Sequence, residues 1–169
     1  MKLEWYRRQM HRPLFSKTVF WRVRSCLSLA VAAGYGVALI WLLLLGSWLR
    51  LAVAVAVPAT VVFLVGGLRE KWDAPRPFAQ LQEQPLRPHE PGCGCPSRHT
   101  ASAVILCWTM LLIPGWWGWV LFGILLVLTG LIGSIRVFTG MHFLRDVLLG
   151  AGISCFFGVL FDLPVLLFH

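Results

Sequence analysis

The sequence has few acidic residues and no charge within its longest apolar runs. Seven Asp and Glu stand against fifteen Lys and Arg, which gives a net charge of +8. So few carboxylates supply no cluster that could hold a catalytic metal. Residues 100–135 contain no charged side chain. A channel or transporter would need polar groups at mid-bilayer, so this absence argues against a conduction path.

The chain also lacks the polarity of a soluble domain. It is 58% hydrophobic over 169 residues, which is typical of an integral membrane protein. No small-residue cleavage site follows the first apolar run, and the basic segment before it is too long for a secretory signal. We therefore expect this run to be a retained membrane span. The length favours a single membrane domain, residues 1–169.

Five apolar runs can cross a bilayer as helices. They cover approximately residues 26–48, 51–68, 100–113, 119–135 and 142–161. A basic juxtamembrane segment, residues 1–24, precedes them. Within it, residues 3–10 have the pattern of an amphipathic helix on the membrane surface, and a disordered basic tail is the alternative. Residues 69–98 are rich in proline and charge, which indicates a polar loop. The predicted fold is all-α: a membrane helical bundle of about five transmembrane helices plus an N-terminal amphipathic helix.

The basic residues flank the apolar runs. Anionic membrane lipids are therefore the expected partners, and nucleic acid is not. The lysines and arginines of the N-terminal segment place it in the cytoplasm. This predicts a multi-pass protein of a bacterial-type cell membrane, whose loops after the second and fourth spans also face the cytoplasm. The oligomeric state stays open.

Polar residues converge at one end of this predicted bundle. Because successive spans alternate in direction, the end of the second, the start of the third, the end of the fourth and the start of the fifth share one membrane face. Three segments bring cations, histidines and a carboxylate to that face: Arg69, Lys71 and Arg76; Ser97, Arg98 and His99; and Arg136, His142 and Asp146. Solvation of loop ends alone does not explain this convergence.

The spacing of these residues suits phosphoryl transfer. His142 and Asp146 lie four residues apart, so on a helix the carboxylate can accept a hydrogen bond from one imidazole nitrogen and leave the other free as a nucleophile. The guanidinium of Arg136 can hold phosphate oxygens, and His99 supplies a second imidazole at a helix start that favours anions. These residues predict a phosphohistidine mechanism that needs no metal or other cofactor.

The three segments resemble the motifs of the phosphatidic acid phosphatase type 2 (PAP2) superfamily, KxxxxxxRP, PSGH and SRxxxxxHxxxD. The chain reads REKWDAPRP over residues 69–77, PSRH over 96–99 and RVFTGMHFLRD over 136–146. The resemblance implies a helical bundle that dephosphorylates lipid phosphates or diphosphates, such as polyprenyl diphosphate, phosphatidate or phosphatidylglycerophosphate. It also implies roles for individual residues: His142 as the nucleophile, Asp146 as its orienting group, His99 as the acid/base, and Arg76, Ser97, Arg136 and Lys71 or Arg69 as phosphate-binding residues.

Three departures from these motifs bear on the prediction. Ser134 lies one residue early, with Ile135 directly before Arg136, so no serine stands at the first position of the third motif. Arg69 stands where lysine is usual, and Lys71 can substitute for it. Arg98 replaces the glycine of PSGH, so its side chain either binds phosphate or points away. Both replacements keep open a catalytically silent binding protein of the same family. A lipid phosphotransferase is the other alternative, because it would use identical residues.

The polar loop leaves further questions open. Cys93 and Cys95 can be two loop thiols, a strained disulfide, or part of a metal clip with His89. Residues 79–95 carry no nameable motif, and we expect them to form a mobile lid or a loop that contacts headgroups.

Overall fold

The computed structural model describes residues 2–11, 17–83 and 92–168, and helices dominate them. The helices in chain order are α1 (Lys2–Met10), α2 (Lys17–Leu44), α3 (Trp48–Trp72), α4 (Pro77–Gln80), α5 (Arg98–Met110), α6 (Trp116–Phe138), α7 (Leu144–Phe157), a π-helical segment (Gly158–Asp162) and α8 (Leu163–Phe168). Much of the expected lid, together with His89, lies outside the described residues.

Within the described residues, four helical stretches are long and apolar enough to cross a membrane: Arg22–Leu44, Trp48–Gln80, Trp116–Phe138 and Leu144–Phe168. These runs form helices because a helix satisfies every backbone polar group within its own segment, as a hydrocarbon environment requires. Many large apolar side chains remain exposed on the outside of the bundle. An outer surface of this kind suits lipid rather than water.

Helix α5 is the central element of the bundle. Its 13 residues extend about 20 Å, less than a free-standing span needs, but α2, α3, α6 and α7 pack around it. It runs from one end of the bundle to the other. His99 at its start lies beside Arg24 of α2, and the carbonyl of Leu112 just beyond it accepts a hydrogen bond from Arg50 of α3. The predicted all-α membrane bundle is confirmed, with α5 as its short buried helix.

Small residues allow α7 to pack closely on α5. A Cβ atom on Gly150 would lie 2.7 Å from the carbonyl oxygen of Ser97, and one on Gly158 would overlap the ring of Trp108. Such close approach is typical of membrane helices with glycine at their interfaces. The packing fixes the start of α7 relative to the start of α5.

Helix boundaries differ from the sequence expectation at the end of the bundle that carries the motifs. Helix α2 begins at Lys17, so the last part of the basic segment 1–24, including Arg24, belongs to the first membrane helix. Helix α3 continues to Trp72, so the first residues of the predicted polar loop are helical. It ends where Asp73 adopts a left-handed conformation and donates its N–H to the carbonyl of Arg69.

Helix α1 lies across this same end. The side chain of Tyr6 is buried with Leu81 and Val137, and its hydroxyl accepts the N–H of Leu144 at 3.1 Å. Arg7 and Arg8 are exposed on the other side. The amphipathic pattern of residues 3–10 therefore forms a helix whose apolar face packs on the protein itself.

Candidate active site

Backbone hydrogen bonds join the motif-bearing segments at one end of the bundle. The N–H of Gly94 donates to the carbonyl of Ala74 at 2.7 Å, and the N–H of Ser97 donates to the carbonyl of Asp146 at 2.8 Å. The N–H of His142 donates to the carbonyl of Arg136 at 3.1 Å. The structure thus brings the three predicted segments into one constellation.

His142 lies in the turn between α6 and α7, with 1% of its surface exposed. Its Nδ1 is 2.7 Å from the carbonyl oxygen of Gly94. A carbonyl can only accept, so Nδ1 carries the hydrogen and Nε2 keeps its lone pair. Burial lowers the pKa of His142 to about 4, against the opposing effects of Asp146 and the Gly94 carbonyl. The imidazole is therefore neutral at pH 7, with a nucleophilic Nε2.

Asp146 lies close to His142 but does not accept the hydrogen bond that the sequence predicts. Its Oδ2 accepts the N–H of Phe143 at 2.8 Å and is 3.9 Å from His142 Nδ1, too long for a hydrogen bond. Its Oδ1 is 3.5 Å from Nε of Arg145. Capping of α7 takes up the carboxylate, and the carbonyl of Gly94 holds the imidazole instead. No sequence motif could show that carbonyl, because the fold alone brings it to His142.

Arg76 holds the loop that carries this carbonyl. Its guanidinium is buried and donates from Nε to the carbonyl of Gly92 at 3.2 Å and from Nη1 to the carbonyl of Met141 at 3.4 Å. A Cβ atom on Gly94 would lie 2.9 Å from the carbonyl oxygen of Ala74 and 3.1 Å from Cγ of Arg76. Only glycine fits at position 94 without a shift of this packing.

Ser97 has no exposed surface and lies at the N-terminal end of α5. Its hydroxyl is 3.0 Å from the hydroxyl of Thr100. The hydroxyl contact lies within α5, whereas the backbone bond to Asp146 links the start of α5 to α7. A phosphate-binding role for its side chain stays a prediction.

Arg136 near the end of α6 is buried among like charges. Only 5% of its surface is exposed, and its Nε has no hydrogen-bond partner among the described residues. Arg24, Arg69, Arg76 and Arg98 all lie within electrostatic reach of it. A buried charge without a counterion costs several kcal/mol. A bound anion would offset this cost, and guanidinium groups match phosphate oxygens well, so phosphate binding by the cluster stays a prediction.

His99 at the start of α5 is bonded to an arginine that the sequence analysis missed. Nη2 of Arg24 lies 3.0 Å from Nε2 of His99. A guanidinium only donates, so Nε2 must be the acceptor. Burial, then the charges of Arg136, Arg24, Arg98 and His142, lowers the pKa of His99 to about 2. The sequence gives one indication of Arg24: because the spans alternate in direction, the start of the first span lies at the same membrane face as the three motifs.

Comparison with known proteins decides the family. The sequence model of the PAP2 superfamily matches residues 47–163. The chain belongs to the PAP2 superfamily. The resemblance seen in its motifs is therefore confirmed. Membership supports a membrane phosphatase that acts on a lipid phosphate.

A solved structure has the same fold. The crystal structure of Aquifex aeolicus LpxE matches with a TM-score of 0.69 and 23% sequence identity, over 96% of this chain and 94% of that chain. A search of curated proteins found no match. The matched PAP2 region begins after α2, so Arg24 lies outside it.

Three cations of the first two PAP2 motifs, Arg69, Lys71 and Arg98, differ in how far they are buried. Arg69 is half-buried and interacts electrostatically with Arg98 and Asp146. Lys71 is exposed and lies two residues further along α3, about 200° around the helix. It therefore cannot face the site together with Arg69. Arg98 is exposed at the rim, beside His99.

The cysteines before the second PAP2 motif lie at the edge of the site as free thiols. The N–H of Cys93 donates to Oδ1 of Asp73 at 2.9 Å. Cys95 is buried, and burial together with the nearby Asp146 carboxylate raises its pKa to about 11. Within the described residues, no three His, Cys, Asp or Glu side chains are grouped as metal ligands. Residues 92–95 belong to the segment expected to form a mobile lid or a headgroup-contacting loop, and the carbonyl of Gly94 in it lies against the turn that carries His142.

Proposed function

We propose that this protein is a membrane lipid phosphatase, which hydrolyses a lipid phosphate or diphosphate through a phosphohistidine at His142. One observation carries the proposal. A neutral His142, with its Nε2 lone pair available, lies within electrostatic reach of the buried Arg136 and Arg76. Phosphoryl transfer requires a nucleophile next to cations that can stabilise the charge of the phosphate oxygens.

In the first step the lipid phosphate lies between His142 and His99. Nε2 of His142 attacks phosphorus, and the P–O bond to the leaving group breaks. The leaving oxygen takes a proton from His99, which gains that proton when the phosphate binds. The guanidinium groups of Arg76 and Arg136 neutralise charge on the equatorial oxygens. The Gly94 carbonyl stabilises the cationic imidazole through the Nδ1–H bond.

Water completes the reaction in the second step. His99 is now neutral and accepts a proton from the attacking water. The new P–O bond forms as the P–N bond breaks, and its electron pair returns to Nε2 of His142. Inorganic phosphate leaves, and the resting state is restored after His99 releases its proton. The protein's own residues supply every group in this scheme.

A groove leading to His99 supports a lipid as the substrate. It has a volume of about 280 Å³ and lies among α2, α3, α5 and α6. Its wall is mainly apolar, with Val31, Val62, Leu106 and Ile132, and its polar end is formed by Arg98 and His99. An acyl or prenyl chain in this groove would bring its phosphate to the site from within the bilayer.

Phosphate release by the purified protein tests the proposal. The wild type in detergent micelles is expected to release phosphate from at least one of polyprenyl diphosphate, phosphatidate and phosphatidylglycerophosphate. His142→Ala should release none. The control His11→Ala removes an exposed histidine that contacts Glu83, and it should match the wild type. No release above the His142→Ala background from any lipid would indicate a silent binding protein. Turnover that requires a second lipid as acceptor would indicate a phosphotransferase.

The site and the N-terminus are proposed to face the cytoplasm. Gln82 is exposed at the site end and Pro114 is exposed at the other end of the bundle. In a background without reactive cysteines, an impermeant maleimide applied to intact cells should label Pro114→Cys and leave Gln82→Cys unlabelled until the cells are opened. The reverse pattern would place the site outside.

A further inference from the structure

Arg24 is a charged residue at the site that none of the three motifs contains. It belongs to α2, outside the part of the chain matched to the PAP2 superfamily, and reaches His99 of α5. While Nη2 of Arg24 donates to Nε2 of His99, that nitrogen cannot bind a proton. An acid/base role for His99 through Nε2 therefore requires this bond to break during the reaction.

The charges around this bond favour its exchange for a bond to an anion. His99 faces Arg24 of α2, Arg136 of α6, His142 of the α6–α7 turn and Arg98 of its own helix. The charge of Arg24 also acts on the buried guanidinium of Arg136. The lone pair of a neutral imidazole is a weak partner for a guanidinium in such a cluster. A phosphate dianion pairs its full negative charge with the guanidinium and can accept two parallel N–H···O bonds, which a single imidazole nitrogen cannot.

We infer that Arg24 is a further phosphate-binding residue, which bonds His99 in the empty site and transfers to the phosphate of the substrate when it enters. The inference rests on the proposed function and extends it. Transfer of Arg24 frees Nε2 of His99 next to a dianion, and His99 then takes up one proton from the aqueous face. That proton is the one delivered to the leaving oxygen. Binding of the phosphate thereby also leads to protonation of His99, the acid of the first step.

The direct test measures His99 while inorganic phosphate is titrated into the protein. The full chain is labelled with [15N]histidine in detergent, and the His99 signal is assigned from its loss in His99→Gln. In the wild type, His99 should stay neutral from pH 5 to pH 8 without phosphate, since its pKa is far below this range. Saturating phosphate should shift the signal towards imidazolium within this range. A His99 signal that phosphate does not move would overturn the inference without recourse to any variant.

Variants of Arg24 separate phosphate binding from a purely structural bond between α2 and α5. Arg24→Gln should bind inorganic phosphate roughly 10-fold or more weakly, because it loses a charge-assisted bond. His99 in this variant should titrate at a higher pH in the empty site than in the wild type, because one of the charges that lower its pKa is gone. Arg24→Lys should restore part of the phosphate affinity.

The matched control is Arg22→Gln, which removes the same charge from an exposed position on the same helix. It should leave phosphate affinity and the His99 signal unchanged. Arg24→Gln with wild-type phosphate affinity and a wild-type His99 titration would refute the role of Arg24. Phosphate release that depends on His142 in the same preparation would show that the phosphatase proposal survives that result.

Discussion

The two imidazoles of the site are held in opposite ways. The turn that carries His142 is buried, and its Nδ1 donates to a backbone carbonyl of the loop that Arg76 holds in place. The start of α5 is more open, and Nε2 of His99 accepts from the side chain of Arg24 on a separate helix. Backbone fixes one imidazole in position and tautomer. A charged side chain holds the other, so we expect the protonation of His99 to change when an anion binds.

Loss of His142 tests the fixed side of this comparison and should have the largest effect. His142→Ala is expected to lower kcat by about 10⁴-fold or more, since the phosphoenzyme of the proposed mechanism forms on Nε2 of His142. The loss should be the same for good and poor leaving groups. Brief incubation with ³²P-labelled substrate should label the wild type with an acid-labile, alkali-stable phosphate. Equal labelling of His142→Ala would contradict the nucleophilic role.

Loss of His99 tests the charge-controlled side and should depend on the leaving group. His99→Ala is expected to lose roughly 10²- to 10⁴-fold in kcat on a lipid phosphate, whose alkoxide needs a proton. On a nitrophenyl phosphate, whose leaving group needs none, the release step should be much less affected. Burst kinetics with that substrate should reveal an accumulated phosphoenzyme, because the base for its hydrolysis is missing. An equal loss in the release step for both substrates would contradict the role of His99 as the acid that protonates the leaving group.

The carbonyl that holds His142 can be displaced by one methyl group. In Gly94→Ala the new Cβ meets the Ala74 carbonyl and the Arg76 side chain, so the loop must move. We expect roughly 1–3 kcal/mol of lost stability and about a 10-fold loss of kcat. Gly67→Ala, on α3 with open space around its Cβ, is the matched control. Wild-type activity in Gly94→Ala would mean that another group, such as Asp146, can orient the imidazole.

The sequence predicted the convergence of the site but not its internal bonds. Apolar runs and alternating spans were enough to place His99, Arg136 and His142 at one end, because membrane helices follow simple length rules. The bonds depend on packing between elements that are far apart in sequence. The carbonyl of Gly94 has no side chain to recognise, and Arg24 lies 75 residues from its partner. Asp146 was expected to bond the imidazole, but the helix cap competes for its oxygens.

The pH dependence of kcat/KM tests the neutral state of the nucleophile. Burial lowers the pKa of His142 from 6.5 to about 4, so the free enzyme keeps a neutral His142 well into the acid range. The acid limb due to this group should therefore fall near pH 4, where protonation removes the lone pair of Nε2. A lipid phosphate of known second pKa allows the substrate limb to be separated from that of the enzyme. A limb near pH 6.5 that persists across substrates would show that His142 is more exposed to water or to Asp146 than its burial implies.

The smallest effect is expected for Lys71, the exposed cation on the side of α3 opposite Arg69. Lys71→Ala should change kcat/KM by no more than about twofold, because exposed substitutions usually alter free energies by less than 0.5 kcal/mol. Arg69→Ala should lose roughly 10-fold, since its guanidinium interacts with Arg98 and Asp146 at the site. The two variants remove one charge each from the same helix end, so bulk electrostatic attraction of an anionic lipid would affect them equally. Equal losses would therefore mean that only the total positive charge near the site matters. A larger loss in Arg69→Ala than in Lys71→Ala would support Arg69 as the cation of the first motif that acts at the site.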